Sequence, residues 1–139
     1  MKDMKIYQHQ VQYYETDKMQ ITHHSNYIRF MEEARVDFLN QIGFGYDKME
    51  DAGIISPVIQ VTCDYKKSTT FFDVLTISLK VLEITPTKLK LGYTMTCQDV
   101  VVCTATSTHC FLNESGRPII IKRQSPEFYE ILKKMEETQ

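Results

Sequence analysis

Four successive segments between residues 58 and 112 alternate apolar and polar side chains with a period of two, and one long amphipathic helix precedes them. In 58–67, Ile59, Val61, Cys63 and Tyr65 alternate with Gln60, Thr62, Asp64 and Lys66. The same rhythm runs through 74–83, 88–97 and the β-branched stretch 100–112. Such spacing puts every second side chain on one face, so each segment reads as a strand with one buried side. The joints Thr85-Pro86-Thr87 and Gln98-Asp99 suit only hairpins, because parallel neighbours need crossovers of roughly a dozen residues. An antiparallel meander is expected. Over 26–42, Tyr27, Phe30, Met31, Ala34, Phe38 and Ile42 recur three and four apart, which makes one broad apolar face. Gly43-Phe44-Gly45 ends this helix, glycine suiting the left-handed residue after a helix. A sheet buried on one face needs a cover, and this helix is the only element long enough to supply it. The expected class is α+β, with a sheet of about five strands wrapped around one central helix.

The remaining elements are shorter. A first strand is read over 5–14, ended by Glu15-Thr16-Asp17, and one or two helical turns over 46–52. After the turn Ser115-Gly116-Arg117-Pro118 come Ile119-Ile120-Ile121 and a last helix. Ser125 caps that helix, Pro126 takes its first position, and Phe128, Ile131, Leu132 and Met135 form its stripe. With 139 residues and no linker or repeat, the chain reads as one domain over 1–139. A net charge of −2 gives no general attraction to nucleic acid or anionic membrane. No apolar run spans a bilayer, and Met1-Lys2-Asp3-Met4-Lys5 leads straight into the first strand without a signal-peptide core. A cytoplasmic protein is therefore expected. Cys63, Cys97, Cys103 and Cys110 lie singly in strand-like segments, as buried reduced thiols do. The open sheet edge favours pairing with a second copy, as a homodimer or a dimer of dimers.

Chemistry concentrates in 14–27. The end of the first strand gives way to a polar loop with Asp17, His23 and His24, then to Ser25 and Asn26, both good helix starters. A carboxylate just before the positive end of a buried helix suits acyl transfer, because backbone N–H groups there can receive a developing oxyanion. A lone Asp after a strand is more often a turn former. Adjacent histidines point apart on most backbones, so no metal site is read from the pair. Asn26 suits a cap or loop brace, and Tyr27, Phe30 and Phe38 suit the core. His9 and His109 sit in strands as packing or surface residues.

The pattern Tyr14-x-Thr16-Asp17, His24-x-Asn26-Tyr27 and Phe30-x-Glu32-x-Ala34-Arg35 resembles the hotdog-fold acyl-CoA thioesterases of the 4-hydroxybenzoyl-CoA thioesterase type, in particular their YbgC-like branch. Tyr65 followed by Asp73, and the turn at Arg117-Pro118, extend the likeness over nearly the whole chain. The loop Lys18-Met19-Gln20-Ile21-Thr22 departs from it, being bulkier and more polar than the small, glycine-containing loop of that family.

The resemblance implies hydrolysis of an acyl-CoA with no cofactor. Asp17 would attack the thioester or activate water, and the His24 backbone N–H would hold the oxyanion. Glu32 is a further catalytic candidate, for placing water or the acyl group, its plainer reading being an ion pair with Arg35. Asn26 and Tyr27 join the substrate-binding set. Lys66, Lys67, Lys122 and Arg123 are the candidates for the CoA phosphates, in a tunnel between subunits. An acyl carrier protein substrate, a dehydratase using His24 and Glu32, and a non-catalytic acyl-binding module are the alternatives.

Overall fold

The computed structural model describes residues 5–138, so the expectations placed on Met1–Met4 and Gln139 lie outside the described residues. The elements are β1 (Tyr7–Gln10), α1 (Asn26–Gln41), α2 (Tyr46–Asp51), β2 (Val58–Tyr65), β3 (Val74–Ile84), β4 (Lys88–Cys97), β5 (Val100–Cys110), α3 (Ile121–Gln124) and α4 (Pro126–Thr138). The strands form one antiparallel sheet in the order β1-β3-β4-β5-β2. With α1 packed on its buried face, this is the hotdog arrangement.

Strands β3, β4 and β5 do form the expected meander. Gln98 and Asp99, at φ 49 and 65, make the two-residue hairpin turn whose left-handed backbone matches strand twist. The meander stops there. β2 pairs with β5, not with its sequence neighbour β3, so it forms the far edge. Its alternation correctly marks a strand but carries no information about which neighbour it joins. Edge position also explains why Cys63 is only half-buried. Cys97 and Cys110, at strand ends, are half-buried too, and of the four free thiols only Cys103 is fully buried.

β1 is shorter than the 5–14 expected. The Glu15 carboxylate accepts the Gln12 N–H at 2.8 Å, and Tyr13–Glu15 turn into a 3-10 helix. This capping box turns the chain out of the strand just after Val11, whose N–H still reaches Asp73 O at 2.8 Å.

α1 closes as a glycine-terminated helix. The Phe44 N–H reaches Leu39 O at 2.9 Å, the Gly43 N–H reaches Asn40 O at 3.2 Å, and Gly43 takes φ 85. Its buried face holds Tyr27, Phe30, Met31, Ala34, Phe38 and Leu39, and also Arg35. α4 shares the covering role expected of α1 alone: Phe128, Leu132 and Met135 join the same core, and the Glu136 carboxylate accepts the Ile84 N–H at 2.6 Å. No helix among the described residues is long and apolar enough to cross a membrane.

The ion pair expected between Glu32 and Arg35 is absent. Arg35 points inward, with Nε donating to Tyr46 Oη at 2.9 Å and Nη1 to Tyr93 Oη at 3.2 Å. The chain continues from Tyr93 to Ser107 Oγ at 2.7 Å and from Ser107 to His109 Nε2 at 2.7 Å. Arginine can only donate, so Tyr93 accepts from it, donates to Ser107, and Ser107 donates to His109. The opposite direction would leave the Tyr93 hydroxyl proton without an acceptor. In this direction Nε2 of His109 is the acceptor at the end of the chain, and protonating it would break the bond from Ser107. Burial, and then the Arg35 charge, lower the His109 pKa from 6.5 to about 4.

The unfolded chain therefore binds the proton first, and this contribution to stability is complete above pH 6.5 and lost as pH falls towards 4. The loss is about 3 kcal/mol. Urea unfolding at pH 7 and pH 4.5 is expected to show a steeper acid loss in the native protein than in His109→Gln. Equal slopes would rule the network out as its source.

Candidate active site

The Asp17 loop is closed on itself. Thr16 and Thr22 pair as an antiparallel bridge across its neck. Inside the loop the Asp17 N–H donates to Ile21 O at 2.9 Å and the Gln20 N–H to Asp17 O at 2.9 Å. Outside the neck the His23 N–H donates to Glu15 O at 2.8 Å. The chain from Asp17 to His24 is thereby folded back, so the acid sits in a loop whose neck is joined, through the Glu15 carbonyl, to the residues that start α1. Asp17 does perform the turn-forming role, since Oδ1 accepts the Met19 N–H at 2.8 Å. Its second oxygen, Oδ2, has no partner among the described residues.

Gln20 takes φ 64 at the tip of this loop. The left-handed region costs a residue with a side chain about 1–2 kcal/mol, part of which glycine returns in its freer unfolded chain. Gln20→Gly is expected to raise the unfolding free energy by up to about 1 kcal/mol. A melting temperature below that of the native protein would contradict this.

The start of α1 departs from the expected capping. Ser25 itself has helical φ −62 and ψ −25 and makes no side-chain cap. Its hydroxyl lies 2.8 Å from His23 Nδ1. Asn26 is buried and its Nδ2 donates to Glu15 O at 2.9 Å, the brace reading rather than a substrate contact. Tyr27 is likewise buried, with its hydroxyl 2.9 Å from Thr69 Oγ1. No acid occupies the first turn. Among the described residues the His24 N–H has no acceptor.

The His24 ring is exposed and stacks on His23 at 4.3 Å, so these neighbours do not point apart as expected. Tyr65 stands edge-on to His24 at 6.2 Å, and its hydroxyl donates to His24 O at 3.2 Å. The strand-end tyrosine therefore grips the backbone that precedes the helix.

A second loop, 66–73, backs the first. Thr69 is buried; its carbonyl accepts the Thr22 N–H at 2.8 Å and its hydroxyl meets Thr22 Oγ1 at 2.6 Å. Thr70 Oγ1 donates to Gln20 O at 2.6 Å. Neither threonine carried a signal in the sequence, because the loops meet only through the fold.

Lys66 and Lys67, exposed, follow β2 and donate both N–H groups to Val102 O at 2.8 and 3.2 Å. Val101 pairs with Thr96, and Thr96 with Thr76 near the start of β3, so this is the Asp17 end of the sheet. Lys122 and Arg123 lie on α3, which meets Pro86 at the opposite end through the Ile121 N–H at 2.8 Å. The two basic pairs do not share a site within one chain. Glu32 is exposed on the outward side of α1, in a groove of about 420 Å³ with Tyr7, Val36, Asp37 and Asn40, apart from Asp17 and His24.

The family model described as "Thioesterase-like superfamily" matches residues 11–135. An Aquifex aeolicus protein named "Putative esterase" is 38% identical over 128 residues, covering 92% of this chain and 97% of that one. The crystal structure of a DHNA-CoA thioesterase from Staphylococcus aureus superposes with a TM-score of 0.90 at 29% identity, over 95% of this chain and 90% of that one. A gentisyl-coenzyme A thioesterase superposes with a TM-score of 0.75 at 26% identity, over 81% and 91% of the two chains.

Proposed function

The chain belongs to the thioesterase-like superfamily, and we propose that it hydrolyses acyl-CoA thioesters to the free acid and CoA, with Asp17 as the acting carboxylate. One observation carries this reading. A carboxylate with an unengaged Oδ2 is held by a closed loop beside a helix start where the His24 N–H has no acceptor among the described residues. A thioester carbonyl needs those two things: a group to attack it or activate water, and a donor for the oxygen that becomes an anion. Asp17 Oδ2 serves either as nucleophile, through a mixed anhydride, or as general base towards water. A backbone donor of this kind is worth about 2.7–4 kcal/mol of barrier. His24 contributes through its N–H, with Tyr65 fixing its carbonyl. Lys66 and Lys67, at the same end of the sheet, are the better placed pair for the CoA phosphates.

The site is proposed to work in a homodimer, with the whole of 1–139 as one domain. β2 is hydrogen-bonded on one side only and exposes Val58, Ile59 and Tyr65, the last of which touches His24. Antiparallel pairing of two β2 edges would cover them and wall the site. Light scattering that gives a monomer at catalytic concentration would remove the dimer from the proposal.

The test of function is release of free thiol from a panel of acyl-CoAs, short to long, aliphatic and aromatic. Hydrolysis of at least one member well above a no-enzyme control is expected. Failure on every member would overturn the assignment.

A further inference from the structure

Two side chains behind the Asp17 loop form a polar group the site itself does not use. Glu15 is 6% exposed. Its Oε1 lies 2.8 Å from His9 Nε2 and accepts the Gln12 N–H at 2.8 Å. Its carbonyl accepts Asn26 Nδ2 at 2.9 Å and the His23 N–H at 2.8 Å. One residue thus ties together β1, the 3-10 turn, the neck of the loop and the first residue of α1. The other imidazole nitrogen, Nδ1, faces Glu33 Oε1 at 3.3 Å, and that oxygen also takes the Tyr7 hydroxyl at 2.9 Å. The His9 ring lies against Phe30 with centroids 4.1 Å apart, and its cross-strand neighbour is the apolar Leu75, so the ring has little room to turn.

A carboxylate out of water is costly unless paired, and here the pairing has a directional result. The Glu15 side chain is anchored to the sheet through His9, while its main chain holds the two segments that carry the chemistry. Asp17 follows two residues after Glu15, and His23 and Asn26 flank the start of α1. The position of the carboxylate therefore sets the position of the carbonyl, and the carbonyl sets the gap between the acid and the helix N–H groups.

Resting on the proposed thioester hydrolysis, we propose that the His9–Glu15 pair is a positioning device that fixes the distance between Asp17 and the start of α1. Neither residue touches substrate. The imidazole meets Glu15 through Nε2 and Glu33 through Nδ1, and an arginine fork carries donors for both carboxylates.

The test measures kcat and KM on an acyl-CoA that the native protein hydrolyses, for His9→Gln, Glu15→Gln and His9→Arg, together with amide hydrogen exchange over 16–26. His9→Gln and Glu15→Gln are expected to lower kcat about ten-fold or more, since misplacement by about 1 Å can cost a hundred-fold. KM is expected to stay within about two-fold, because uniform binding is untouched. His9→Arg is expected to restore most of kcat. In both glutamine variants the His23 amide is expected to exchange faster.

Unchanged kcat in folded glutamine variants would overturn the inference, as would a His9→Arg variant that keeps native His23 protection yet shows no recovery of kcat. If the native protein hydrolyses nothing, the functional assignment falls and the exchange measurement decides positioning alone: unchanged His23 protection overturns it, faster exchange supports it. Should Glu15→Gln not fold, His9→Gln carries the same test.

Discussion

Asp17→Asn is expected to lower kcat on any hydrolysed acyl-CoA by about 10²–10⁴-fold, the range for removing a positioned acid–base group. The choice of asparagine follows from the loop. Asp17 Oδ1 accepts the Met19 N–H, and an amide oxygen can accept it equally well. The turn, the Thr16–Thr22 bridge and the approach to His24 should therefore survive. Only the carboxylate charge and its basic Oδ2 are lost. An unchanged melting temperature with collapsed turnover separates chemistry from folding. Turnover within about three-fold of native would remove Asp17 from the mechanism, since so small a change is under 1 kcal/mol of barrier.

Phe30→Ala is expected to cost about 3–5 kcal/mol, the usual loss for truncating a buried aromatic. Phe30 is 0% exposed and lies at the centre of the core, against the rings of His9 and Tyr27 at 4.1 and 5.5 Å. For a domain whose whole stability is about 5–15 kcal/mol this is a large share. Urea unfolding reads it directly as a lower midpoint at unchanged slope. A loss below about 1.5 kcal/mol would mean that the surrounding core collapses to fill the space. Because Phe30 also backs His9 and Tyr27, a folded variant should lose turnover as well.

Much of the fold was legible because burial is one-sided. The period of α1 named its buried face, and Arg35 was readable on it too: it stands four after Met31 and three before Phe38. The charge hid that position and suggested a surface pair with Glu32, whereas burial had only to supply hydroxyl acceptors, Tyr46 and Tyr93. Strand β1 was read too long because alternation does not record that Glu15 takes the Gln12 N–H. In the candidate site, the pattern around Asp17 and His24 was visible, while Thr69, which backs both Thr22 and Tyr27, was not. A threonine distant in sequence bears no mark of what it will face.

The sequence by itself determined the five strands, the long helix with its buried face, the turn at Gln98-Asp99, the stop at Gly43 and the acid before the helix. These depend on local spacing and on backbone preferences that act within a few residues. The alternating apolar side of β2 stays open, with Ile59 and Tyr65 exposed. Only the tertiary structure decided that β2 lies beside β5, that the two basic pairs fall at opposite ends, and that Glu15 and His9 stand behind Asp17. Those are contacts between segments far apart in the chain. Their energy comes from hydrogen-bond partners and burial that exist only once the sheet has closed over the helix.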